Sequence, residues 1–229
     1  MSLSTDTPIL LISAMTEELK DIVKDLEPDH AADLPLFRGT LLGRQVCAAS
    51  TGSGKVNAAA VLSSLISELT PKAVIAAGVC ASVNEEIEIG DIVEVHRCVQ
   101  YDLNIGKFGL RSGEINGPLP RYIALETRST LKQATAATAD GFLDAKGYAR
   151  YGQLLDELEA DIVDMESYSW AAVCRLHHIP CTIFRIVSDT PSRSQKNFLK
   201  FIRGASEALR AQVEQAVYDT PSEKSPTIL

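Results

Sequence analysis

The run Cys181-Thr182-Ile183-Phe184-Arg185-Ile186-Val187-Ser188-Asp189 decides the fold class. Short, nearly continuous apolar runs bounded by turn residues read as strands buried on both faces. Residues 181–187 form such a run, and it ends on a carboxylate, Asp189. A second segment, Val163-Asp164-Met165-Glu166, sets another carboxylate just ahead of a helix expected over about residues 166–178. Open α/β sheets keep their ligands at the carboxyl ends of buried strands. Carboxyl groups beside apolar walls also have their proton affinity tuned for acid–base work. From position alone, the simpler reading of both acids is helix capping or surface exposure.

Working outward, apolar runs rich in branched residues recur at 9–12, 46–49, 74–77 and 92–95. Helical patterns separate them. Thr16 opens one in which Leu19, Ile22, Val23 and Leu26 repeat at i, i+3, i+4 and i+7. Others are expected over 56–69, 150–158 and 198–217, the last with Gly204 as a weak point inside it. Strands alternating with helices predict an α/β three-layer sandwich with a mixed, mainly parallel central sheet. We expect one domain over residues 9–219, with flexible ends at 1–8 and 220–229. The glycine- and proline-rich stretch 106–121 reads as a long loop of the kind that often carries function.

At 229 residues, the chain is long enough to bury a core without disulfide staples. Its formal net charge is -8 and no basic run stands out, which argues against nucleic acid and anionic membranes as partners. No apolar run approaches the ~20 residues that span a bilayer. The N-terminal residues do not resemble a signal peptide, so a cytoplasmic location is expected. The five cysteines are scattered and odd in number, and read as reduced thiols. The four histidines lack ligand spacing, so we expect no metal and no organic cofactor.

Gly52-Ser53-Gly54-Lys55 invites a phosphate-loop reading and fails it. Ala49 stands where that motif needs its first glycine, and Val56 follows the lysine where Ser or Thr is needed. A tight turn opening a helix is the better reading. Ala14-Met15-Thr16-Glu17-Glu18 follows the first strand, and Thr16 is placed to cap a helix. Cys80 reads as packing rather than as a nucleophile.

In order, the chain carries Ala14-Met15-Thr16-Glu17-Glu18, Thr51-Gly52-Ser53-Gly54-Lys55-Val56, Ala77-Gly78-Val79-Cys80-Ala81-Ser82 and Ile89-Gly90-Asp91-Ile92-Val93. Asp140-Gly141-Phe142, Asp164-Met165-Glu166 and Val187-Ser188-Asp189 follow. This ordered set resembles the purine nucleoside phosphorylase-like superfamily and, within it, the 5'-methylthioadenosine/S-adenosylhomocysteine nucleosidases, over about residues 9–217. The resemblance implies that Glu18 activates the attacking water, with Glu17 as the offset-by-one alternative. It implies that Glu166 grips the ribose 2'- and 3'-hydroxyls and that Asp189 protonates purine N7. Met165 would lie under the sugar, Phe142 would stack on the base, and the backbone at Leu143 would pair with the purine edge. Gly78, Val79, Ser53 and Ser188 fall in the matching substrate-binding motifs. A homodimer is implied, with the neighbouring subunit helping to wall the 5' pocket.

The chemistry suits these residue types. A glycosidic bond breaks through an oxocarbenium-like sugar, and a purine leaves only once a ring nitrogen gains a proton. A half-buried acid with raised proton affinity supplies that proton near neutral pH. A cis-diol offers two donors to one bidentate carboxylate. An Asp rather than an Asn facing N7 favours a 6-amino purine in this superfamily.

Some positions depart from the nucleosidase pattern. Val79 stands where a serine usually helps hold the water, and Ser53 replaces an apolar residue bordering the 5' pocket. Tyr101-Asp102 replaces His-Asp, Asp164 replaces a Glu, and the segment between Asp189 and Phe198 is short. The expected reaction is hydrolysis of a 5'-modified adenosine such as methylthioadenosine or S-adenosylhomocysteine. The alternatives are a phosphate-dependent phosphorylase, a hydrolase of another nucleoside such as futalosine, and a nucleoside-binding protein without turnover. Only Lys55 and Arg44 lie near the glycine-rich segments to hold a phosphate, which favours water.

Overall fold

The computed structural model describes residues 7–30, 34–103, 107, 109–114, 117–191 and 198–221. The elements run β1 (Ile9–Ser13), α1 (Thr16–Leu19), β2 (Glu27–Asp29), β3 (Leu36–Leu41), β4 (Arg44–Ser50), α2 (Lys55–Leu69), β5 (Ala73–Ser82) and β6 (Ile92–Gln100). They continue with β7 (Tyr122–Ala124), β8 (Lys132–Thr138), α3 (Ala145–Glu157), β9 (Ile162–Asp164), α4 (Ser167–Leu176), β10 (Cys181–Asp189) and α5 (Phe198–Asp219). All ten strands join one mixed sheet. β1 lies between β4 and β5, parallel to both, and β10 is parallel to β5. β8 is parallel to both β6 and β9. β6 runs against β10, and β9 against β5, so β5, β10, β6, β8 and β9 close into a ring at one end of the sheet.

Because side chains alternate along a strand, β1 feeds two cores. Leu10 and Ile12 pack with Leu62 and Leu65 of α2 and Trp170 of α4. Ile9 and Leu11 face the other way, toward Leu209 and Val213 of α5. Helices thus cover both faces, giving the three layers expected. A third cluster joins Val99, Ala137 and Val163 to Leu155 and Leu158 at the end of α3.

Local differences from the sequence reading have tertiary causes. The periodic stretch from Thr16 is helical only to Leu19, although Ile22, Val23 and Leu26 are buried as their spacing predicts. Beyond Leu19, α5 engages the backbone: Ser206 Oγ accepts the Asp21 N–H at 2.8 Å, and Arg210 Nη1 donates to the Asp21 carbonyl at 2.7 Å. The third helix begins earlier than expected because Asp144 caps it, accepting the Gly147 N–H at 2.7 Å. β8, Lys-Gln-Ala-Thr-Ala-Ala-Thr, is rich in Ala and Thr and lacks the large apolar residues that betray a buried strand. Of the ends expected to be flexible, Pro8 accepts the Lys72 N–H and Thr220 closes α5 on the Ala216 carbonyl. Residues 1–6 and 222–229 lie outside the described residues, as do parts of the 106–121 loop and residues 192–197.

Leu62 is fully buried on α2 where α2 packs against α4. Leu62→Ala is expected to cost about 2–5 kcal/mol. In urea unfolding the midpoint falls while the slope stays constant. A loss below about 1 kcal/mol would contradict close packing at this seam.

Candidate active site

The site is assembled around a buried cation. Arg185, in the middle of β10, is fully buried. Its Nη2 lies 3.0 Å from Asp164 Oδ2 and 3.4 Å from Glu166 Oε2. Nε donates to Ser167 Oγ at 3.1 Å, and Nη1 donates to the Val79 carbonyl at 3.1 Å. The guanidinium also lies over the Trp170 ring, 4.8 Å from its centroid. Burial works against its charge, but the carboxylates of Asp164, Glu166 and Glu18 outweigh that and hold it protonated.

Asp164 ends β9 and organises the start of α4. Its Oδ1 accepts the N–H groups of Glu166 and Ser167 at 3.2 and 3.1 Å and the Thr138 hydroxyl at 2.7 Å. The Ser167 hydroxyl donates to Oδ2. Asp164 therefore does the capping, which leaves the side chain of Glu166, the residue in the N-cap position, available for other work. Glu166 Oε1 accepts the Gly54 N–H at 3.0 Å. Gly54 sits at φ +86°, a conformation that favours glycine and that aims this amide across the site. Burial pushes the Glu166 carboxyl up to about 7, with Arg185 opposing and Asp164 adding to the rise.

Glu18 is buried at the end of α1. Its Oε1 accepts the Val79 N–H at 2.9 Å and its Oε2 the Met15 N–H at 3.0 Å. Burial raises its pKa, opposed by Arg185 and by these amides. Met15, not Thr16, occupies the N-cap position, and Glu18 reaches back to its amide in the manner of a capping box.

Asp189 follows a β-bulge between Val187 and Asp189, which re-aims the end of β10. It is buried, and burial raises its pKa against a hydrogen bond from Ser188 Oγ. That hydroxyl also lies 3.0 Å from the Cys80 carbonyl, so its one hydrogen cannot serve both acceptors at once. Asp189 Oδ2 is buried with no hydrogen-bond partner among the described residues. A protonated carboxyl satisfies this environment better than an anion does.

These groups face one cavity. Glu18, Ser53, Val79, Phe142, Leu143, Met165, Glu166, Ser188 and Asp189 all line it. Gly78 stands behind the wall. Phe142 is 56% exposed, so it is not packed in the core. Burial pushes the Cys80 thiol up, which suits packing rather than nucleophilic attack. No Lys, Arg or His is among the described cavity-lining residues. Arg185 is the residue whose role sequence reasoning missed. A lone arginine inside an apolar strand was the available signal, because such a charge needs buried carboxylates.

A Cβ on Gly78 would lie 2.6 Å from Arg185 Nη1 and 2.8 Å from Glu18 Oε1. Both atoms are hydrogen-bonded and buried, so neither can yield freely. Gly78→Ala is expected to destabilise by about 1–3 kcal/mol, read as a lowered melting temperature. An unchanged melting temperature would show that the Arg185–Glu18 packing is loose.

A profile of the phosphorylase superfamily matches residues 8–217. The 5'-methylthioadenosine/S-adenosylhomocysteine nucleosidase of Staphylococcus haemolyticus is 28% identical, over 90% of this chain and 97% of its own. An aminodeoxyfutalosine nucleosidase of Campylobacter jejuni is also 28% identical, over 85% and 91%. Among solved structures, the Campylobacter jejuni 5'-methylthioadenosine/S-adenosylhomocysteine nucleosidase superposes with a TM-score of 0.81 at 26% identity, covering 91% of this chain and 97% of that one. A putative nucleosidase of the same kind from Borrelia burgdorferi, solved bound to adenine, gives 0.80 at 27% identity, covering 92% and 99%. A match spanning nearly all the described core places this chain in the phosphorylase superfamily.

Proposed function

We propose that this protein hydrolyses the N-glycosidic bond of a purine nucleoside, most simply 5'-methylthioadenosine or S-adenosylhomocysteine, releasing adenine. The observation that carries the reading is the buried Oδ2 of Asp189, without a partner among the described residues, in the same cavity as Glu166 and Glu18. Burial raises the proton affinity of an oxygen so placed and aims its proton at a ring nitrogen of the leaving base. In this reading Glu166 takes the ribose diol with Arg185 and the Gly54 amide fixing its carboxylate. Glu18 takes a proton from the attacking water, and Met165 and Phe142 contact sugar and base. The Leu143 backbone borders the purine edge, and Ser188 orients Asp189. Val79 forms the wall, Gly78 behind it leaves the room in which Glu18 and Arg185 meet, and Ser53 borders the 5' group.

Water is favoured over phosphate because the described cavity wall offers no cation to an anionic nucleophile. Lys55 is committed to Asp102, and Arg44 reaches the Tyr218 carbonyl instead. One further substrate has a specific motive. Ser53 gives the cavity a polar edge, and an aminodeoxyfutalosine nucleosidase is among the relatives, so a bulkier polar 5' group is the second candidate. Exposed Phe142 at the cavity and exposed Val56, three residues beyond Ser53, offer apolar surface for a second copy of the chain, in keeping with a homodimer. Five free cysteines suit a reducing cytoplasm, and no described helix is long and apolar enough to cross a membrane.

Chromatography after incubation with each nucleoside, with and without phosphate, tests the reaction. Free base is expected without phosphate, and strict phosphate dependence would overturn hydrolysis. Asp189→Asn is expected to lower the rate by about 10²–10⁴. The wild-type rate should also fall as pH rises through the elevated pKa of Asp189, because the donor proton is then lost. An Asp189→Asn enzyme with the wild-type rate would contradict the assignment of the acid.

A further inference from the structure

Lys55 failed as a phosphate-loop lysine and takes no part in the chemistry above, yet its bonds tie the two halves of the cavity together. Its backbone N–H donates to Asp140 Oδ1 at 2.6 Å. The Asp140 N–H donates to Asp102 Oδ2 at 3.0 Å. Asp102 Oδ1 in turn receives the Lys55 ammonium at 2.6 Å, closing a three-residue ring. The ammonium also reaches Gln100 Oε1 at 3.3 Å and lies 3.9 Å from Asp140 Oδ2. One residue earlier, the Gly54 amide holds Glu166. Successive amides at the start of α2 therefore grip one carboxylate on the sugar side and one at the head of the Asp140-Gly141-Phe142-Leu143 turn.

We propose that Lys55 is a positioning residue: through Asp102 and Asp140 it sets the Phe142–Leu143 turn at a fixed distance from Glu166, and so fixes base against ribose. This rests on the function proposed above. An isolated exposed ion pair would contribute little. Here the Lys55 and Asp102 side chains are only 18% and 26% exposed, and two of the three links in the ring use backbone amides, which cannot swing away. A glycosidase whose base platform drifts loses substrate alignment without losing any group that transfers a proton. The expected signature is therefore weaker base binding rather than a changed pH profile.

The test uses the full chain as wild type, Lys55→Met, Lys55→Arg and Asp102→Asn. Steady-state kinetics with 5'-methylthioadenosine and calorimetry with adenine are the readouts. Lys55→Met is expected to lose roughly ten- to a hundredfold in kcat/KM, mostly through KM, and to bind adenine more weakly by a similar factor. Its acid and alkaline limbs should stay where wild type has them. Lys55→Arg, which keeps the charge, should recover most of the loss, and Asp102→Asn should resemble Lys55→Met. The proposal is overturned if Lys55→Met matches wild type within about twofold in both readouts. It is equally overturned if Lys55→Met and Lys55→Arg fail together with a large drop in melting temperature, since Lys55 would then serve folding alone. A wild-type protein that neither releases base nor binds adenine removes the functional reading itself, and this inference with it. Wild-type activity with an indifferent Lys55 removes the inference alone.

Discussion

The arrangement depends on one buried guanidinium. Arg185 has no access to solvent, so its charge is tolerable only because Asp164 and Glu166 meet it directly and Glu18 stands close enough to act on it. Removing one partner from such a buried group typically costs about 3–5 kcal/mol. The partners come from two separate parts of the chain: Asp164 and Glu166 from the junction of β9 and α4, and Glu18 from α1. The cation thus works as an assembly point. It draws the β9–α4 junction and α1 together on β10, whose register with β5 sets the Val79 carbonyl against the guanidinium. Gly78 is the steric condition for this, since any side chain there would occupy the space the guanidinium and Glu18 share.

The same cation divides the carboxyl groups by environment. Glu166 touches Arg185 but is also crowded by Asp164 and desolvated, so its carboxyl titrates near neutrality. Among the described residues, Asp189 has no cation beside it. Burial alone raises it, against one serine hydroxyl. Two acids in one cavity therefore owe their raised proton affinity to different surroundings, one desolvated beside a cation and the other desolvated against a single hydroxyl.

Much of this was legible in the residues. Runs of branched apolar residues marked β1, β4, β5, β6 and β10, because strands buried on both faces need such side chains. β2, β3, β7, β8 and β9 escaped: β8 is built of Ala and Thr, β2, β7 and β9 are three residues long, and β3 has alternating rather than continuous burial. The spacing from Thr16 to Leu26 correctly predicted burial but not helix length, since α5 takes the backbone of Asp21 away from the helical pattern. In the site, the acids were visible as motif residues. The cradle around them was not: the Gly54 amide and the Arg185 contacts join residues far apart in sequence, and local pattern says nothing about such meetings.

The most direct measurement is the proton titration of Glu166 in the ligand-free protein, followed by carbon-13 NMR of labelled glutamate side chains, with Glu166→Gln identifying the resonance. A carboxyl desolvated beside a buried, charge-shared guanidinium should titrate at about 7. A midpoint at the ordinary glutamate value of about 4.3 would mean that water reaches the group, and that the buried charge cluster around Arg185 does not govern this site.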